Sequence, residues 1–181
     1  MIRANILAGI FLLSAISCFS QTWPAPKSPV IPEADGYVVI PNAAVAPDAK
    51  TKYSVLFDGT KMAAKPDKIL PAVNAAGNIL NDLAFGRVQP ANRRLAIVFH
   101  GPATDGILDD AHYRAKYGIA NPNLPVLAAL KKQGVELFVC GQHLAGENID
   151  PKTLSSDITI ASDAYLVIVN YQNRGYAMMW F

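Results

Sequence analysis

Cysteine is nearly absent: the 181 residues hold two, Cys18 and Cys140, and three histidines. No two cysteines lie close together, which excludes a disulfide framework and the paired-cysteine spacing of structural zinc sites. Charge of one sign is scarce too. The chain has 16 Lys and Arg against 14 Asp and Glu, mixed along its length, for a formal net charge of +2. Without a basic stripe to follow phosphates, nucleic acid is not an expected partner. No apolar run suits an ordinary anchor across roughly 30 Å of hydrocarbon, and no internal repeat or second domain is visible.

The one apolar run of note, ILAGIFLLSAI (Ile6–Ile16), follows Arg3 and precedes the small residues Cys18 and Ser20. Residues 1–20 therefore read as a secretory signal cut between Ser20 and Gln21, giving a periplasmic or secreted protein. Ala15 to Cys18 also fit a loose lipobox, and lipidation of Cys18 is the one route by which a membrane becomes a partner. Ordinary cleavage leaves Cys140 as the sole cysteine, an unpaired thiol in an oxidising compartment.

Residues 21–51 carry prolines at 24, 26, 29, 32, 41 and 47 and no helix or strand period. They read as an extended leader or a mobile tether, in which Gly36–Pro41 could add a short strand to a sheet edge. From residue 52 to 181 the pattern changes. Strands are expected at 52–58, 94–100, 135–140, 157–161 and 176–181, with helices opening at Pro66–Asp67, near Leu124 and at Asp163. Residues 105–120 read as a polar insertion with a short helix near the edge, outside the core. Such alternation predicts an α/β fold, a three-layer α/β/α sandwich with a mainly parallel five-stranded sheet.

In sheets of that kind chemistry gathers at the carboxyl ends of the strands. Cys140 closes an apolar strand there, before a helix that begins near Gln142. A free thiol is thiolate only to a small extent at neutral pH. The candidate stabilisers are the helix start, the amides of Gly141 and Gln142, and a cation from His100 or His143. His100 ends the neighbouring run, and the two side chains meet if their strands are adjacent. Asp58, Gly101 and Asn123 are further candidates for the cleft wall. On residues alone, Cys140 is open to thiol chemistry, to an inert core role, to a nucleophile paired with histidine, or to metal ligation with His100 and His143. No second paired motif supports a metal, and no cofactor is called for.

The order of motifs VLFDGTK, IVFHGPAT, NPNLPVLAALKKQGVELFVCGQHLAGENID and ASDAYLVIVNYQNRGYAMMWF resembles the DsrE/DsrF-like family in its exported single-domain branch. The most specific piece is Gly134–Gln142, similar to the strand-end cysteine block of the family's sulfur-relay members. The resemblance implies a sulfur carrier or sulfurtransferase, with Cys140 holding sulfur as a persulfide, a donor or acceptor protein as partner, and a homo-oligomer, trimer or hexamer. No resolving cysteine is present, so an external thiol or partner chain would complete any cycle. The other reading is a non-catalytic oligomeric module that binds a small ligand, with Cys140 structural.

Overall fold

The computed structural model describes residues 23–181; the expected signal segment, its cleavage point and Cys18 lie outside the described residues. Strands β1 (Tyr53–Gly59), β2 (Arg93–Phe99), β3 (Glu136–Cys140), β4 (Thr159–Ala161) and β5 (Ala177–Trp180) form one sheet. Its order is β4-β3-β2-β1-β5, and every neighbouring pair is parallel. Apolar runs without polar alternation suit strands covered on both faces. The helices are α1 (Pro71–Phe85), α2 (Asp110–Tyr117), α3 (Asn123–Lys132), α4 (Gly141–Gly146) and α5 (Ala164–Asn173).

The pleat sorts the core into two parts. Phe57, Ile97, Phe99, Leu137 and Val139 pack with Val73 and Leu80 of α1 and Leu127 and Leu130 of α3. Leu56, Ala96, Val98 and Cys140 turn to the opposite face and pack with Val167 and Tyr171 of α5. These are the three expected layers, and each large side chain so buried contributes about 1.5–3 kcal/mol.

Three local expectations differ from the structure. Helix α1 starts at Pro71, not Pro66, because Pro71 disfavours a helical residue before it and Leu70 is extended (φ −57°, ψ 142°). The stretch 105–120 carries the expected short helix and is exposed over much of its length, yet it is tied into the core: Tyr113 is fully buried, and its hydroxyl donates to the Pro66 carbonyl at 2.7 Å. A tyrosine on a polar helix can bury its ring once its hydroxyl finds an acceptor. The leader forms no strand of the sheet within its described residues. It makes one antiparallel bridge, Lys27 with Tyr37, and inserts Ile31 and Ala34 into the core against α1.

Asn81 of α1 receives that leader. Fully buried, it accepts from the amides of Val30 and Ile31 at 3.1 and 2.9 Å and donates to the carbonyls of Ile31 and Asp35 at 3.0 and 3.2 Å. Gly77, one turn earlier, leaves room for Ala34, whose Cβ a side chain at that position would strike.

Asp82, next to Asn81, is the opposite case. Its Oδ1 is buried without a hydrogen-bond partner, and burial pushes its carboxyl from 3.8 up to about 6. Between those two values the folded chain holds a proton that the unfolded chain has lost, so stability falls as pH rises through this window. The cost is complete above about pH 6 and absent below the ordinary carboxylate value. With partial solvent access discounted, it amounts to about 1–2 kcal/mol. Asp82→Asn is therefore expected to stabilise the protein by about that much near pH 8 and by nothing near pH 3.5. Urea unfolding at both values checks this; an equal gain at both would assign the effect to something other than ionisation.

Candidate functional site

Cys140 is the last residue of β3 and the N-cap of α4. Its Sγ accepts from the His143 amide at 3.4 Å and from the Ala164 amide at 3.3 Å. The sulfur thus lies where two helices begin, α4 and α5, each with N–H groups that have no partner inside the helix. The expected donors were Gly141 and Gln142. The helix start is as expected, but a capping side chain reaches the third amide of the helix, which is that of His143. The second donor comes from another segment, because β4 pairs with β3 and sets Ala161 beside Cys140. The α5 start follows within three residues.

The same connection brings Asp163, the N-cap of α5, to the thiol: Sγ donates to its Oδ1 at 3.8 Å, and that oxygen also accepts from the Tyr165 amide at 2.9 Å. Cys140 is 5% exposed. Gly141 permits this close approach, since a Cβ there would lie 2.7 Å from the Ala161 carbonyl oxygen. Asp163 and Ala164 are the site residues that sequence reading missed. Their only signal was the Ser-Asp start of an apolar helix, which marks a cap without saying what lies beside it.

His100 follows β2, the strand between β1 and β3. Its Nε2 meets Asp58 Oδ1 at 2.7 Å, and no hydrogen bond joins it to Cys140 among the described residues. Pleat and register explain the choice. Asp58 of β1 pairs with Val98, which faces the α5 side, so Asp58 and His100 project to the same face from adjacent strands. Both are largely buried, with side chains 11% and 23% exposed. The strands of His100 and Cys140 are neighbours, as their expected meeting required, and the two residues follow the Phe99–Val139 pair at one level. The hydrogen bond of His100 nevertheless goes to Asp58, and that of the thiol to Asp163.

On the other side of α4 an open cleft of about 570 Å³ is lined by Gly101, Thr104, Asp105, Lys116, His143 and Glu147, among others. Lys116 Nζ contacts Asp105 at 2.6 Å, and the Tyr117 hydroxyl donates to the same carboxylate at 2.6 Å. Burial, then that bond, holds the Tyr117 phenol well above its usual value. Thr104 is 2% exposed, and its hydroxyl has no partner among the described residues. His143 joins the two places: its amide binds Sγ and its side chain lines the cleft. Cys140 itself does not line it. Gln142 is exposed. Asn123 lies elsewhere, fully buried, accepting from the Leu70 amide at 2.7 Å and donating to Asn121. It holds the start of α1 against α3.

No group of three or more His, Cys, Asp or Glu side chains among the described residues is placed to share a metal ion. No helix among them is long and apolar enough to cross a membrane.

Comparison with known proteins agrees with this architecture. No curated protein matches the chain. Among solved structures, a protein of unknown function, MTH1491 from Methanobacterium thermoautotrophicum, is similar in fold, with a TM-score of 0.54 and 18% identity over 71% of this chain and 99% of the other. The family model of the DsrE/DsrF-like family matches residues 51–181, the whole sheet and all its helices. The chain belongs to the DsrE/DsrF-like family.

Proposed function

We propose that this protein is an exported sulfur carrier in which Cys140 takes up sulfane sulfur as a persulfide and yields it to a thiol or partner protein. The observation that carries this reading is the pair of helix-start amides on Sγ, from His143 and Ala164. Two amides aimed at one sulfur suit the negative charge it bears when it attacks and when it holds a persulfide. The Asp163 carboxylate, which accepts from the thiol at 3.8 Å, opposes that charge and has to turn away as the thiolate forms. A thiolate at Cys140 attacks the outer sulfur of a donor persulfide; a new S–S bond forms, the donor's breaks, and the donor leaves as thiolate. An acceptor thiolate then attacks the outer sulfur and returns Cys140 to thiolate. The sulfane sulfur keeps its oxidation state, so no further oxidant is needed. The donor enters by the cleft, whose wall includes His143, the residue whose amide binds Sγ. Intact mass of the chain from Gln21 after incubation with polysulfide tests the reading: a gain of sulfur, reversed by dithiothreitol, is expected.

One observation favours the second reading, a non-catalytic module with a structural cysteine. Cys140 is 5% exposed, and its sulfur already has two donors and one acceptor. Loading therefore requires the first turn of α4, a helix of six residues, to open.

The assembly belongs to the proposal as well. On α5, Tyr165, Leu166 and Val169 are 71%, 54% and 52% exposed and lie within one turn of each other. Contiguous apolar surface of this kind marks an interface, and a second copy of the chain is its proposed occupant. Light scattering is expected to show a trimer or hexamer, and Leu166→Glu with Val169→Glu is expected to yield monomers with unchanged circular dichroism. A monomeric parent protein would overturn the assembly.

A further inference from the structure

A second concavity lies away from Cys140, where α1, the start of β1 and the edge strand β5 meet the leader. Its volume is about 360 Å³, and its walls are apolar: Ile40 and Val45 of the leader, Val55, Ile79, Leu83 and Met179. Ile40, Val45 and Met179 are exposed. One charged side chain lines it, Asp82, whose Oδ1 is buried with no hydrogen-bond partner among the described residues. Tyr37 of the leader and Tyr53 of β1 are the other titratable groups in the wall, and no Lys, Arg or His belongs to it.

A carboxylate with one oxygen shut away from water and from any donor carries a cost that a cation arriving at its other oxygen reduces. The surrounding wall rewards an apolar body. We propose that this groove binds a small apolar amine, an ammonium on an alkyl or aryl body, with Asp82 as its anchor. An alcohol of the same length fills the walls but brings no charge, and a carboxylate is repelled. Protonation of Asp82, whose carboxyl burial has pushed up to about 6, removes the anchor, so affinity falls as pH drops through that value.

The test uses the full chain, isotope-labelled, titrated with n-hexylamine, 1-hexanol and hexanoate and followed by NMR. At about pH 8, hexylamine is expected to bind at least about tenfold more tightly than hexanol, with shifts at Ile79, Leu83 and residues 40–47. At about pH 5 the amine is still cationic, and its affinity is expected to drop at least about fivefold. Asp82→Asn is expected to bind amine and alcohol alike. Hexylamine binding no tighter than hexanol, or an unchanged preference in Asp82→Asn, would overturn the proposal and leave a plain apolar groove.

Discussion

Cys140→Ser is expected to abolish sulfur loading completely while leaving the fold intact. In the chain from Gln21 this thiol is the sole cysteine, so no other side chain can form a persulfide. Serine keeps the capping geometry: its Oγ can accept from the same His143 and Ala164 amides and donate to Asp163. The stability change should stay within about 1 kcal/mol, which separates loss of chemistry from loss of fold. Intact mass of parent and variant after polysulfide treatment reads the result. Sulfur on the parent alone supports the carrier. An unloaded parent whose thiol alkylates readily sinks it, and a thiol that alkylates only in urea makes Cys140 the structural cap of α4.

Much of the scaffold was legible in the chain because strands buried on both faces announce themselves. The runs at β1, β2 and β3 have no polar alternation, and Gly134 and Gly175 (φ +83° and +82°) close α3 and α5 as a left-handed residue does. The placement of Cys140 at a strand end and helix start followed from those elements. Its surroundings did not. The amide of Ala164 and the carboxylate of Asp163 reach Sγ only because β4 lies beside β3, and no local pattern states strand adjacency. His100 does stand level with Cys140 on the neighbouring strand, one step past the Phe99–Val139 pair, but its ring bonds to Asp58 across the β1–β2 pair. Tyr113 and the leader were misjudged for a related reason. Polar neighbours and prolines describe how a segment is solvated when alone, whereas one or two apolar side chains that find a pocket decide whether it docks.

That docking underlies the largest stability effect expected here. Asn81→Ala is expected to lower stability by about 3–5 kcal/mol, because it removes four hydrogen bonds and strands the buried amide and carbonyl of Ile31. For a chain of this size that corresponds to a fall in Tm of roughly 10 °C. Ile31 and Ala34 stay apolar and complementary to the Gly77 gap, but their seat depends on a backbone that Asn81 holds. Without it, the leader should open before the sheet does, since the strands make no contact through those bonds. Limited proteolysis is then expected to cut within residues 23–50 in the variant at temperatures where the parent resists, leaving the domain from about residue 52 intact. Cleavage of both proteins alike, with Tm values within about 1 °C, would mean that the leader is held by its apolar anchors alone and that Asn81 contributes little.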